Sequence, residues 1–502
     1  MMMLSIFHWL SIALALATIY HYFRQNLILM KKRKRLPPGP KGLPILGNLH
    51  LLGKNPHKDL AKLAKKHGPI MHMRFGYVPA VIASSPEITE KFLKTNDQVF
   101  ANRPYHEGAW YVSYEQRSIT FGQYGLYWRN MRKLCILQLL SGHKTGSFQL
   151  MREEEVGLLV KSIKKAASDG SAVDLSDEIS SLGANMSCLM IFGKKYMDKD
   201  FDDRGFRDVI QEVMHLGAIP NLGDFFPFLG VFDLQGLTRR FKALAKVFDT
   251  FLEKIIDEHL QLREEKKTKD FVDIMMGFIH SGASEFEFDP RHVKAILLDM
   301  LLASMDTSVT AVEWAISDLL RHPEAMKKLQ KELEEKIGLD RIVEESDLEG
   351  LEYLDMVIKE SMRLHPVAPL LLPHESTEDC EVDGFSIKKK SRIIINIYAI
   401  GRDPKVWADP ESFIPERFKG SNIDIRGKDF RLIPFGSGRR SCPGLQLGLT
   451  VVRFVLAQLV HCFNWELADN IQPSDLDMTE VFGLVTSRAK HLRVVPTYRL
   501  HG

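Results

Sequence analysis

Residues 435 to 444 read FGSGRRSCPG, a stretch that restricts what the chain can fold into more than any other. Gly436, Gly438 and Gly444 keep the backbone slim around Cys442 and permit positive φ angles. Pro443 is a favourable first residue for a helix, and GLQLGLTVVRFVLAQLV behind it has helical periodicity. Cys442 is therefore expected just ahead of a helix N-terminus, whose dipole and free N–H groups favour a thiolate. Arg440 adds positive charge two residues away. The stretch suits an anionic sulfur held against something flat and large. A cysteine nucleophile is the other chemical reading; it needs a histidine or equivalent base, which a distant part of the chain could supply. A plain core cysteine has no need of three glycines and an arginine.

The other cysteines, at 135, 188, 380 and 462, have no CxxC spacing. Neither a structural zinc site nor a disulfide scaffold is suggested, and a reducing compartment fits the main body. A formal net charge of only +3 excludes the basic field of a nucleic-acid binder.

The amino terminus differs from the rest. Residues 1 to 23 form a nearly continuous apolar run, long enough as a helix to cross a bilayer. The basic run KKRKR, Lys31 to Arg35, could be a nuclear signal or a solvated stretch if read alone. After a spanning helix it is the positive-inside flank that fixes orientation. The apolar run is long and the basic cluster follows it, which favours an anchor over a cleaved signal peptide. We therefore divide the chain into an anchor helix (1–30), a basic stop-transfer and proline-rich hinge (31–44) and one large catalytic body (45–502). LPPGPKGLP, at 36 to 44, is expected as a semi-rigid spacer.

Within the body, IMHMRFG and PAVIAS predict two short strands around the turn at 76 to 79, and Ser85-Pro86-Glu87 predicts a capped helix to about Lys94. Helical patterns dominate from 128 to 365. The longest covers 290 to 322, is apolar nearly all round, and is expected to run through the interior until Pro323. CEVDGFSI predicts a hairpin turning at Asp383-Gly384, and SRIIINIYAI a buried strand from 391. The fold class is mostly α with a small β sheet region.

The pattern FxxGxRxCxG, carried by Phe435, Gly438, Arg440, Cys442 and Gly444, resembles the haem-binding signature of cytochrome P450 monooxygenases. That resemblance implies haem b with Cys442 as the axial iron ligand, whose thiolate favours O–O cleavage. Further motifs resemble the family's in the same order. Trp128 and Arg132 match WxxxR, and with His374 and Arg440 they are implied to bind the haem propionates. Glu360 and Arg363 match ExxR, and Arg417 in PERF completes an implied structural triad. Asp306 and Thr307, in ASMDTS, match the acid–alcohol pair implied to serve oxygen binding and proton delivery. Ser304 departs from the pattern, standing where the family usually has glycine.

The PPGP hinge, PERF and the cysteine loop together look most like microsomal P450s of plant specialised metabolism. Family logic puts substrate contacts in the loops above the haem. Phe225, Phe226, Leu302, Ala303, Leu371 and Phe482 are the candidates for an apolar pocket. A terpenoid, a phenylpropanoid-derived aromatic or an alkaloid all suit it. The implied reaction is insertion of one oxygen atom from O2 into a small hydrophobic molecule. The implied electron donor is an NADPH-cytochrome P450 reductase on the endoplasmic reticulum membrane, docking near Arg129, Lys133 and Arg439. A haem lyase or isomerase acting without NADPH is the alternative, and a tethered haem- or lipid-binding protein a third reading. Both leave the acid–alcohol pair without a use.

Overall fold

The computed structural model describes residues 35–196, 205–261, 268–281 and 288–501. The anchor expected over residues 1 to 30 lies outside the described residues, as does the basic run before Arg35.

Helix α1 (Pro56–His67) leads into β1 (Ile70–Phe75) and β2 (Val78–Ala83), an antiparallel pair joined at Gly76 and Tyr77. A four-stranded sheet of order β1-β2-β4-β3 forms when β4 (Arg392–Ile395) adds in parallel to β2 and β3 (His374–Glu375) closes the far edge. The remaining sheets are small, and helix dominates the described residues. The proline-rich segment is less of a spacer than its composition predicts. Pro38 O accepts a hydrogen bond from His72 N on β1 (2.8 Å), so the chain is docked to the body from that point.

The helices that matter for the site are α2 (Leu126–Leu134), α3 (Leu175–Phe192), α4 (Phe206–Ala218), α5 (Pro290–Arg321), α6 (Glu352–Leu364) and α7 (Leu445–Cys462). The long interior helix of the sequence is α5. Asp289 caps it by accepting from the N–H groups of Arg291 and His292, and Pro290 opens it. Pro323 forbids its continuation and begins the next helix. By composition α5 could cross a membrane, but it is wrapped by α3, α6 and α7 and mostly buried. Two large apolar clusters flank it. One reaches Met305 and the other begins at Val309, so Asp306 and Thr307 lie at the seam between two cores.

Two element boundaries differ from the sequence reading. The strand after Ser391 stops at Ile395, because Asn396 Oδ1 accepts from Ala399 N (3.0 Å) and turns the chain into a short helix, Ile397–Ile400. Helix α7 begins at Leu445 rather than Pro443, because Cys442 N is drawn back to Phe435 O. The hairpin turns at Asp383 (φ 55) and Gly384 (φ 74), both left-handed as its two-residue turn requires.

Candidate active site

Cys442 N donates to Phe435 O (2.8 Å), and this bond closes the cysteine loop. Gly438 (φ +69) is indispensable to it, since a Cβ there would stand 2.1 Å from Leu93 O. The Phe435 ring and Ser308 Oγ lie 3.7 and 3.5 Å from the Cβ position of Gly448, so the loop, α7 and α5 meet at one point. The Cys442 residue is open to a water-sized probe, yet chain surrounds it on nearly every side. It therefore faces an opening, or void.

Burial pushes the Cys442 thiol up, against the Gly444 N–H and the Arg132 guanidinium. The Gly444 N–H at the helix start favours the thiolate as expected, whereas the nearby cation is Arg132 rather than Arg440. Arg440 turns away from the sulfur, and burial outweighs the donors.

Arg440 instead donates to Ala101 O, Ile119 O and Gly122 O. Arg132 donates to Ser441 O (2.5 Å), and Trp128 Nε1 to Ile119 O (2.9 Å). His374 Nδ1 bonds Phe100 O (2.8 Å). The sequence reading missed a further member, Arg103, which donates to Thr120 O, Leu372 O and Pro373 O. No carboxylate bonds any of these three guanidinium groups among the described residues. Burial followed by repulsion from Arg132 pulls Arg103 down to about 9. Burial, Arg103 and Arg132 pull Arg440 down to about 8. His374 is held well below the ordinary histidine range by burial and by Arg103 and Arg440. Buried cations that no carboxylate bonds among the described residues fit a ligand that brings two carboxylates, and the nearby Cys442 sulfur fits the same ligand's iron. The donor set therefore suits haem.

The second buried charge cluster is complete in itself. Arg363 and Glu360 form two parallel bonds of 2.7 and 2.8 Å, and Arg417 Nε donates to Glu360 Oε1 (2.8 Å). Arg363 also donates to Gly401 O, Pro410 O and Ser412 O. Glu360 and Arg363 have no exposed side-chain surface.

On α5, Ala303 is exposed and Leu302, Asp306 and Thr307 are partly so, although the helix is interior. Thr307 Oγ1 donates to Ala303 O (2.7 Å), which leaves its lone pairs free to accept. Asp306 has no hydrogen-bond partner or ion pair among the described residues, and burial raises its pKa. Ser304 Oγ turns toward α3, 2.8 Å from Ser187 Oγ.

The expected pocket residues divide. Leu302 and Ala303 lie on the helix that walls the void. Leu371 approaches the cysteine loop, its Cδ1 3.9 Å from the Cβ position of Gly436. Phe225 and Phe226, expected in the pocket, are buried in an apolar cluster under β1 and β2, where Phe225 meets Phe75 and Phe226 meets Tyr77 edge to face. Phe482 stacks on His57 of α1 at 5.4 Å. From its loop it is Leu484 that reaches α4, 2.7 Å from the Cβ position of Gly217. No sequence signal separates these roles, because every residue in the group is simply apolar.

The family model for Cytochrome P450 matches residues 37–493. Cytochrome P450 CYP736A12 of Panax ginseng is 50% identical over 478 residues, covering 94% of this chain and 95% of that protein. Phenylacetaldehyde oxime monooxygenase CYP71AN24 of Prunus mume is 42% identical, covering 97% and 94%. The flavonoid 3'-monooxygenase of Arabidopsis thaliana is 41% identical, covering 93% and 92%. The relatives place the chain among plant P450s of specialised metabolism, enzymes that carry haem b on a cysteine thiolate. A thiol facing a void beside uncompensated cations, in a chain so alike from end to end, has one family: this protein is a cytochrome P450.

Proposed function

We propose that the protein is an NADPH- and O2-dependent monooxygenase that hydroxylates or otherwise oxidises a small hydrophobic plant metabolite. The observation that carries this reading is the turn Ala303–Thr307. It offers one hydroxyl and one unpaired carboxyl beside the void that Cys442 faces, at the seam of two apolar cores. A lyase or isomerase that rearranges its substrate without reductant has no use for a proton source there.

Haem held by Cys442 would supply the O2 activation. Arg103, Arg132 and Arg440 would hold its carboxylates, and Trp128 and His374 would line their approach. Thr307 Oγ1 accepts and returns a proton at the reacting end of the void. Asp306 stores one, since burial brings its carboxyl closer to neutrality and so to the driving force that proton transfer wants. Ala303 and Leu302 wall the substrate, Leu371 and Leu484 close it in, and the two cores exclude water.

Electrons from a membrane-bound reductase fit the face on which Arg129 and Lys133 are exposed. Arg439 contributes less, being paired with Asp97 (3.2 Å). A membrane setting is supported by exposed apolar residues at 228 to 234, with Val231 88% and Phe232 69% exposed. Phe228 belongs to that surface, whereas Phe225 and Phe226 do not. Two relatives are named as monooxygenases, one of a flavonoid and one of phenylacetaldehyde oxime, which supports testing phenylpropanoid-derived aromatics before terpenoids and alkaloids.

The test is turnover in microsomes with a partner reductase, with and without NADPH, read by mass. The expected result is a product heavier by one oxygen that forms only with NADPH. Conversion at unchanged mass without NADPH overturns the reading in favour of the lyase or isomerase.

A further inference from the structure

The Ser304 hydroxyl contributes nothing to the void. It lies 2.8 Å from Ser187 Oγ on α3 and 3.3 Å from Leu301 O, one turn back on its own helix. Ser187 is 2% exposed. Gly183, one turn before Ser187 on α3, faces the same stretch of α5, and a Cβ on it would stand 2.6 Å from Met305 O and 2.6 Å from Val309 Cγ1. The two helices therefore pack closely behind Asp306 and Thr307, and the only side-chain hydrogen bond between them at that contact, among the described residues, is the serine pair.

We infer that Ser187 and Ser304 form a strap that sets the rotation of α5 at the turn Ala303–Thr307, which makes both positioning residues for the Thr307 hydroxyl. The inference rests on the monooxygenase reading above. Ser304 Oγ donates to Ser187 Oγ (2.8 Å), and Leu301 O, 3.3 Å away, is the second acceptor within its reach. Thr307 makes a backward bond to Ala303 O. A hydroxyl that bonds back within a helix loosens and bends it locally, and Thr307 places such a perturbation in this turn. A turn perturbed in this way needs an external fixed point. Ser187 supplies it from a packed neighbour. Ser304 lies about 60° around the helix from Thr307, so pinning one fixes the direction of the other.

The test is a cycle of Ser304→Ala, Ser187→Ala and the double variant in the haem-loaded enzyme, with Thr307→Ala as reference. Alanine keeps helix propensity, so folding is retained, and the thermal midpoint serves as the control. Each single variant and the double should raise the fraction of NADPH lost to peroxide by the same factor, about threefold, the size expected from losing one net hydrogen bond. KM should not change. The infrared C–O stretch of the reduced CO complex, which needs no turnover, should broaden or split in all three variants alike. Additive effects in the double variant, or an unchanged C–O band in the singles, overturn the strap. If Thr307→Ala itself leaves coupling intact, the monooxygenase role of Thr307 fails, and the C–O band alone then decides the strap.

Discussion

Two buried assemblies of guanidinium groups occupy this molecule and differ in one respect. Around Glu360, each of two arginines finds a carboxylate and the spare N–H groups go to carbonyls. Around Arg103, Arg132 and Arg440, the carbonyls are present but no carboxylate among the described residues bonds the cations, which repel one another. Guanidinium groups keep their protons in proteins, so the drops to about 9 and about 8 at Arg103 and Arg440 express a standing electrostatic cost. A charge network that is complete within the chain is scaffold. One that is incomplete is a site for a ligand of the opposite sign.

The difference is broken most severely at Glu360. Glu360→Gln keeps the shape but leaves two buried cations unpaired, and it should cost about 3–5 kcal/mol in chemical unfolding of the protein. The open cluster should respond with the opposite signature. Arg103→Gln removes one of three mutually repelling cations, so the haem-free protein should keep its stability to within about 1 kcal/mol, while haem affinity falls by about 10- to 100-fold. Spectroscopic haem titration beside unfolding of the haem-free protein separates the two quantities. Equal losses in both would mean that Arg103 is scaffold.

A separate effect sharpens the comparison through Asp299, a buried carboxylate beside the loop that bears the Arg440 contacts. It accepts from Thr120 N (3.0 Å), yet burial raises its pKa to about 6. Because the folded-state value lies above the unfolded one, the folded protein binds this proton more tightly. Stability is therefore fully present below about pH 4 and is lost as pH rises through about 6, by ~3 kcal/mol for a shift of roughly two units. Asp299→Asn should flatten that part of the pH–stability curve of the haem-free protein; an unchanged curve would remove Asp299 as its source. The smallest effect is expected at the surface. Lys133→Glu should lower reductase-supported turnover about 2- to 10-fold at low salt and little at high salt. Equal rates at low salt would take the reductase face elsewhere.

Sequence carried the parts of this molecule that are local. The capped start of α5, its stop at Pro323 and the hairpin at Asp383-Gly384 are each written in a few adjacent residues. The cysteine loop, too, is legible because its glycines and cysteine act within ten residues. The strand from Ser391 was overextended because Asn396 turns the chain by a single side-chain bond. What stayed hidden depends on distant partners. Arg103 acquires its place from Leu372 and Pro373, some 270 residues on, and nothing in the residues around it marks the role. Phe225 and Phe226 look like pocket aromatics in sequence but fill the core under β1 and β2. Ser304 was legible as a departure from a pattern, whereas its purpose depends on Ser187 on another helix.

The central claim is that the void between the cysteine loop and α5 is used to put one atom of O2 into a substrate. The most direct measurement is turnover of the substrate panel under isotopically labelled O2, with reductase, with and without NADPH. The account predicts a product carrying one labelled oxygen, formed only when NADPH is present. A product without label, formed equally in the absence of NADPH, would contradict it.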